Sequence, residues 1–297
     1  MKHTLLCLFC CAALAATPAH ADRVVHKERS VYQTILIVKR ANEVCMQFSV
    51  RRDQRNQSCM DTRDPRRMLF TYTRMMMASL LLVDAPERVL MVGLGGGTLP
   101  TALHELYPEA IIDAVEIDPA VVRMAREYFN FKTNDKLRVF ERDARVFTKR
   151  AALQGTKYDL ILLDAYNGEY IPEHLMTREY LEETKAVLSD RGVLAANTFA
   201  VSDLYHHESA TYAAVFGEFY NFKLWNSANR VVLARPSGLP KPQALSDRAD
   251  ALRQQLAPYN VPITRYLKNL DGRKDWRADA RVLTDQFSPV NILNQQR

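Results

Sequence analysis

The sequence predicts an α/β fold in which helices cover both faces of a parallel sheet and a small β domain comes first. Strand and helix patterns alternate from Val89 onward, which is typical of a parallel sheet. The patterns between Val31 and Met60 are instead those of consecutive strands. The chain has 297 residues, 47% of them apolar, so it can form one large domain with a small companion.

The first 21 residues have the pattern of an export signal. Lys2 and His3 give a basic start, residues 5–16 form an apolar run, and Ala19-His20-Ala21 has the small-x-small pattern of a cleavage site. A bilayer core needs about 20 apolar residues, so this run is too short to span it. We therefore predict a signal peptide over residues 1–21 and a periplasmic or secreted mature protein without a membrane span.

The net charge of +6 comes from 40 Lys and Arg against 34 Asp and Glu. The basic residues are interleaved with carboxylates, and the surplus is small for the length of the chain. The charge therefore does not require a nucleic-acid partner, and we predict none.

Residues 22–68 are predicted to form the N-terminal β domain. Residues 32–39 are rich in β-branched side chains, residues 40–43 form a polar turn, and residues 44–50 alternate apolar with polar side chains. Residues 51–67 carry six arginines interrupted by aspartates, and we interpret them as a solvated loop.

Two cysteines, Cys45 and Cys59, remain once the predicted signal is removed. An oxidising compartment would allow a disulfide between neighbouring strands. Two buried free thiols are the alternative that the sequence leaves open.

Residues 69–236 are predicted to form the α/β domain, beginning with a helix over residues 69–83. The predicted strands cover residues 89–92, 111–115, 137–140, 159–163 and 193–197. The predicted helices between them include residues 99–107, 120–129 and 177–188. Leu224 and residues 230–234 are assigned to two closing strands. Residues 237–297 are predicted to form a C-terminal extension with one amphipathic helix over residues 243–256.

A glycine loop follows the first strand of the α/β domain. Gly93, Gly95 and Gly97 come directly after an apolar strand and before a helix. Glycines let the backbone approach a ligand closely, and the start of a helix supplies free N–H groups. The loop therefore predicts a ligand site at this end of the sheet.

Carboxylates follow the next three strands. Glu116 ends the second strand, where a carboxylate can accept hydrogen bonds from the two hydroxyls of a ribose. Asp143 with Ala144 follows the third strand, and Asp164 follows the fourth. Open α/β sheets bind ligands at the carboxyl ends of their strands, so these side chains predict a nucleoside site. No spaced Cys/His set predicts a metal site.

Several motifs follow one another along the chain in a distinctive order. They are Tyr32-Gln33, Tyr72, the loop from Val89 to Gly97, Val115-Glu-Ile-Asp118, Arg142-Asp-Ala144 and Leu162-Leu-Asp164. Between about residues 30 and 235, the chain therefore resembles the spermidine synthase (polyamine aminopropyltransferase) family.

The resemblance implies a Rossmann-like core sheet of the class I methyltransferase type, a small N-terminal β domain and a homodimer. It implies no permanently bound cofactor, decarboxylated S-adenosylmethionine as co-substrate, and a small amine or polyamine such as putrescine as acceptor. It also implies the roles of individual residues: donor contacts by Gln33 and the loop glycines 93, 95 and 97, ribose binding by Glu116, adenine binding by Asp143 and Ala144, an amine channel lined by Tyr72, and Asp164 as general base.

The chain departs from the family pattern in its amine-binding half. Thr73 stands where the family has glutamine, Gly96 where its loop carries an aspartate, and Asn167 where it has a second acid. We assign the acceptor to Asn167 and to the region of Trp225, with Glu169 and Glu173 as further candidates. Two other functions stay open: an S-adenosylmethionine-dependent methyltransferase, and a non-catalytic exported protein that binds a nucleoside or polyamine.

Overall fold

The computed structural model describes residues 22–50, 53–166 and 170–293. The N-terminal part is an antiparallel sheet whose strands lie side by side in chain order. These strands are β1 (Arg23–Arg29), β2 (Thr34–Arg40), β3 (Glu43–Val50) and β4 (Asp53–Asp61). The predicted signal peptide lies outside the described residues.

Strand β4 contradicts the predicted solvated loop at residues 53–61, whereas residues 62–67 lie outside helices and strands, as predicted. It pairs with β3 along the edge of the sheet, where charged and polar residues are common because they discourage pairing with other chains. Cys45 on β3 faces Cys59 on β4, and the two form a disulfide with a Cα–Cα distance of 4.1 Å. Of the two alternatives left open by the sequence, the structure has the disulfide.

The second sheet has the strand order β12-β10-β11-β9-β8-β5-β6-β7. The parallel strands are β5 (Arg88–Val92), β6 (Ile111–Glu116), β7 (Leu137–Glu141), β8 (Tyr158–Leu163) and β9 (Leu188–Phe199). The antiparallel strands are β10 (Phe219–Lys223), β11 (Asn229–Ala234) and β12 (Leu270–Asp271). The chain order reverses between β5 and β8, which opens a crevice at the carboxyl ends of these strands.

Helices cover both faces of this sheet, as predicted. They are α1 (Thr71–Met76), α2 (Thr98–Leu106), α3 (Pro119–Tyr128), α4 (Ala144–Leu153), α5 (Arg178–Ala186), α6 (Leu204–Phe216), α7 (Pro242–Leu256), α8 (Ile263–Tyr266) and α9 (Val290–Leu293). The helix predicted over residues 69–83 is instead α1 followed by a 3-10 turn, Met77–Leu81.

Two buried cores lie on opposite faces of the sheet. On one face, Met91 and Leu160 belong to a core that also includes residues of α1, α2 and α7. On the other face, Leu90 and Ile161 belong to a core that includes residues of α4, α5 and α6. Burial on both faces explains why the parallel strands are nearly continuous apolar runs. The α/β class with a small antiparallel sheet at the N-terminus is confirmed.

The N-terminal sheet packs on helix α3. Ile37 and Met46 from β2 and β3 share a buried cluster with Val121 and Met124 from α3. Asp118 caps this helix by accepting a hydrogen bond from the N–H of Ala120 at 2.9 Å, and Ser30 ahead of β2 donates to its other oxygen at 2.6 Å. The sheet is thereby held over the crevice. The predicted domain boundaries stay predictions, and no described helix is long and apolar enough to span a bilayer.

Candidate active site

A cavity of about 380 Å³ lies between the N-terminal sheet and the carboxyl ends of strands β5 to β8. This volume is in the range of small-molecule sites in proteins. The N-terminal sheet and α1 contribute one wall, which includes Gln33, Gln57, Ser58 and Tyr72. The tips of the parallel strands contribute the opposite wall, which includes the three predicted carboxylates.

The glycine loop joins β5 to α2 with a left-handed backbone. Gly93 and Gly95, at φ 87° and 53°, line the cavity. A Cβ at Gly93 would lie 2.3 Å from the carbonyl oxygen of Asp164, so only glycine fits between these strand ends. Ser58 Oγ on β4 accepts a hydrogen bond from the N–H of Gly96 at 2.8 Å. The N-terminal sheet therefore fixes the conformation of the loop directly.

Glu116 lies at the centre of the strand tips. Its two carboxylate oxygens accept hydrogen bonds from the N–H groups of Leu94 and Asp118, each at 3.0 Å. Burial raises the pKa of Glu116, and these backbone N–H groups oppose the increase by stabilising the charged form. Each oxygen retains lone-pair capacity for a donor on a ligand.

Asp143 begins helix α4 and also faces the cavity. Its Oδ1 accepts a hydrogen bond from the N–H of Val146 at 2.9 Å, which makes it the N-cap of the helix. Its Oδ2 lies 2.9 Å from Nε2 of His174 in the 3-10 turn Glu173–Leu175. Ala144 and Pro172 line the same end of the cavity.

Asp164 follows β8, and it lines the cavity. Its pKa is raised to about 7, chiefly by burial and further by the nearby charge of Glu116. Hydrogen bonds from Asn197 and Tyr72 oppose this increase, because they favour the charged carboxylate. A carboxylate with this pKa can accept a proton near neutral pH.

Asn197 holds Asp164 from the neighbouring strand β9. Its amide Nδ2 donates to Oδ1 of Asp164 at 2.8 Å, and its own Oδ1 accepts from Nδ2 of Asn229 on β11 at 3.0 Å. The backbone carbonyl of Asn197 accepts a hydrogen bond from the hydroxyl of Tyr166 at 2.9 Å. These contacts orient the carboxylate from the neighbouring strand β9.

Comparison with known proteins identifies the family. Residues 69–228 match the model of the spermine/spermidine synthase domain. A polyamine aminopropyltransferase from Vibrio vulnificus is 50% identical over 292 residues, with 97% of each chain covered. The chain belongs to the spermine/spermidine synthase family.

Solved structures show the same architecture. A probable spermidine synthase from Corynebacterium glutamicum covers 88% of this chain and 99% of its own, with a TM-score of 0.66 at 18% identity. Human methyltransferase-like protein 13, solved in complex with SAH, covers 71% of this chain and 98% of its own, with a TM-score of 0.57 at 25% identity. The core sheet of the spermine/spermidine synthase family is thus shared with methyltransferases.

The structure brings most of the predicted site residues to one cavity of this family member. Those that line it are Gln33, Tyr72, Gly93, Gly95, Glu116, Asp143, Ala144 and Asp164. Gly97 does not line it, because the space beside its Cα is occupied by Phe131. Trp225 does not either: its side chain is 97% exposed, so the structure contradicts its assignment to the amine site. Asn167 and Glu169 lie outside the described residues.

Four residues at the site were not predicted from the sequence. Gln57 and Ser58 were missed because their strand was interpreted as a loop, and His174 because it lies in a short turn. Asn197 had a detectable signal, since it ends a predicted strand beside the one that ends at Asp164. Within the described part of the chain, no group of three or more His, Cys, Asp or Glu is arranged to hold a metal ion.

Proposed function

We propose that this member of the spermine/spermidine synthase family is a polyamine aminopropyltransferase. It transfers the aminopropyl group of decarboxylated S-adenosylmethionine to a small amine, with Asp164 as general base. The observation that carries the proposal is the Asp164 carboxylate: it lines the cavity, its pKa is raised to about 7, and Asn197 holds it in place.

The nucleoside of the donor is assigned to the carboxylates beside Asp164. Glu116 accepts hydrogen bonds from the two ribose hydroxyls. Asp143 accepts a hydrogen bond from the exocyclic amino group of adenine, and Ala144 lies beside the base. Gln33 and the loop residues Gly93 and Gly95 contact the rest of the donor. These side chains share one cavity, which supports their acting on one molecule.

The reaction needs a base because the acceptor amine is protonated in water, with a pKa near that of lysine, about 10. Asp164 takes a proton from the ammonium group, and the nitrogen lone pair then attacks the propyl carbon next to the sulfonium. A new C–N bond forms as the C–S bond breaks, and the sulfur keeps the bonding electrons as a neutral thioether. A general base in this position contributes about 10²- to 10⁴-fold to the rate.

A methyltransferase is the second candidate, because Phe129 fills the position beside Gly96. A Cβ at Gly96 would lie 2.7 Å from Cδ1 of Phe129, so the loop has no room for an acidic side chain there. A carboxylate at that position would bind an aminopropyl ammonium and repel the carboxylate of S-adenosylmethionine. Glycine in place of that carboxylate weakens the discrimination between decarboxylated S-adenosylmethionine and S-adenosylmethionine. The similarity to human methyltransferase-like protein 13 agrees with this.

A paired assay separates the two candidates. Residues 22–297 are incubated with decarboxylated S-adenosylmethionine and putrescine, spermidine or cadaverine, and 5′-methylthioadenosine is measured by mass spectrometry. A parallel set contains S-adenosylmethionine, with S-adenosylhomocysteine as the product measured. We expect 5′-methylthioadenosine in the first set, formed about 10²- to 10⁴-fold more slowly with Asp164→Asn. Formation of S-adenosylhomocysteine alone would support the methyltransferase, and binding without either product would support a non-catalytic role.

We also propose that residues 1–21 direct export and that the mature protein acts as a homodimer in the periplasm or outside the cell. The basic start, short apolar run and Ala19-His20-Ala21 site support export. The Cys45–Cys59 disulfide is compatible with an oxidising compartment. Cell fractionation tests the export, and light scattering of the mature protein tests the homodimer.

A further inference from the structure

The turn Glu173–Leu175 is attached at two points to the start of helix α4. The imidazole of His174 contacts the carboxylate of Asp143, with Nε2 and Oδ2 2.9 Å apart. The backbone carbonyl of His174 accepts a hydrogen bond from Nη1 of Arg145 at 3.4 Å. Asp143 and Arg145 are two residues apart, so the same helix start holds both the side chain and the backbone of His174.

Arg145 is itself held firmly. Its guanidinium donates two hydrogen bonds to Glu183, each at 2.8 Å, and two to Asp285, each at 2.7 Å. Paired contacts of this kind fix the orientation of a guanidinium more strongly than single ones. The side chain of Arg145 is only 13% exposed, and the turn therefore rests on a rigid support.

The contact between His174 and Asp143 determines which atoms carry hydrogen. An ionised carboxylate only accepts hydrogen bonds, so the Nε2 of His174 must carry the proton that is shared with Oδ2. The other oxygen, Oδ1, is already bound to the N–H of Val146. The two hydrogen bonds together fix the rotation of the Asp143 carboxylate, and one lone pair of Oδ2 stays available for another donor.

We propose that His174 is a positioning residue for base recognition: it orients the Asp143 carboxylate so that Oδ2 accepts a hydrogen bond from the exocyclic amino group of adenine. Both side chains line the cavity at the end where the base is assigned. This inference rests on the proposed nucleoside donor. A base with a carbonyl oxygen in place of that amino group would place two acceptors against each other and would bind weakly.

The test compares 5′-methylthioadenosine with 5′-methylthioinosine, in which a carbonyl oxygen replaces the amino group and N1 carries a hydrogen, by calorimetry on residues 22–297. We expect the unmodified protein to prefer the adenine form by about thirtyfold, since a hydrogen bond to a charged group is worth about that ratio. In His174→Ala we expect this preference to fall to about threefold, because the carboxylate can rotate away. His174→Gln keeps an N–H donor of similar reach and should restore most of the preference.

His26→Ala is the matched control, because His26 lies on β1 and does not line the cavity. An unchanged preference in His174→Ala would overturn the proposal. An equal loss of affinity for both nucleosides would also overturn it, since that result indicates a structural role of the turn. If neither nucleoside binds the unmodified protein, the proposed function fails as well, and this outcome is distinct from the first two.

Discussion

Asp164 and Glu116 are two partly buried carboxylates at the tips of β8 and β6, on either side of β5, and their environments give them different tasks. Glu116 is held by two backbone N–H groups, which stabilise its charge. Asp164 receives side-chain hydrogen bonds, from Asn197 and Tyr72, and its pKa rises to about 7. The environment of Glu116 therefore suits the binding of hydroxyl groups, and that of Asp164 suits the acceptance of a proton.

The pH dependence of the reaction follows from the pKa of Asp164. We expect kcat/KM for the donor, at a constant total concentration of amine, to rise with pH through about 7 and then level off below the pKa of the amine, because only the charged carboxylate can take a proton from the ammonium group. Asp164→Asn should lower the rate by about 10²- to 10⁴-fold.

The variant Asn197→Ala tests the same assignment by changing the pKa of Asp164. It removes a hydrogen bond that favours the charged carboxylate, so the rising part of the pH profile should move to higher pH. A profile that rises near pH 4 in the unmodified protein, or that does not move in Asn197→Ala, would contradict this account of Asp164.

Glu116 should dominate the affinity for the nucleoside. Glu116→Ala removes both acceptors for the ribose, and we expect it to abolish detectable binding of 5′-methylthioadenosine in calorimetry. Glu116→Gln keeps one acceptor and should weaken binding by about tenfold or more. Glu109→Gln is the control, because Glu109 precedes the other end of β6 and its side chain is 91% exposed. Unchanged affinity in Glu116→Ala would refute the ribose assignment.

At the scale of elements, strand β4 connects the disulfide to the glycine loop. Cys59 is bonded to Cys45, and the preceding residue, Ser58, accepts the hydrogen bond from Gly96. A crosslink that closes a loop of this length stabilises a fold by about 3 kcal/mol. The position of the glycine loop therefore depends on a crosslink in the other sheet.

We expect the double variant Cys45→Ala, Cys59→Ala to lose about 3 kcal/mol of unfolding free energy in urea denaturation. Its affinity for 5′-methylthioadenosine should also fall, because Ser58 is held less firmly. A thiol reductant should lower the stability of the unmodified protein and leave the variant unaffected, which provides the internal control. Identical denaturation midpoints for the unmodified protein with and without reductant would show that the disulfide does not contribute.

The elements that could be predicted from the sequence are those in which burial determines the pattern of apolar residues. Strands β5 and β8 are buried on both faces, so their apolar runs indicate them directly, and each carboxylate that follows such a strand lies at the same sheet edge. Strand β4 carries polar and charged residues at a sheet edge, and its sequence gives no such pattern. Ser58 and His174 reach the site through packing between separate elements, which residue spacing does not encode.

The whole molecule depends on the contact between the N-terminal sheet and helix α3. Val121, 1% exposed, lies in the cluster that joins them, and the sheet supplies Gln33, Gln57 and Ser58 to the cavity. The cavity is complete only when the two sheets are packed together. The sheet therefore contributes to binding as well as to stability.

We expect Val121→Asp to lower the unfolding free energy by about 3 kcal/mol or more, because it buries an unpaired charge between the sheet and α3. Affinity for 5′-methylthioadenosine, measured by calorimetry, should fall with it, since the wall formed by β4 is displaced. Leu153→Asp is the matched control, because Leu153 is 89% exposed at the far end of α4. Full nucleoside affinity in Val121→Asp would mean that the N-terminal sheet is not part of the site.

The last described residues complete the end of the site assigned to the base. Arg145, which supports the turn of His174, is bound by Asp285, a residue 140 positions later in the chain. Leu283, Val290 and Leu293 are buried beside Met176 and Leu204, which anchors that segment against the α/β domain. Every strand of the central sheet precedes Asp285 in the chain. The support of the nucleoside pocket is therefore completed by a segment that contributes no strand to that sheet.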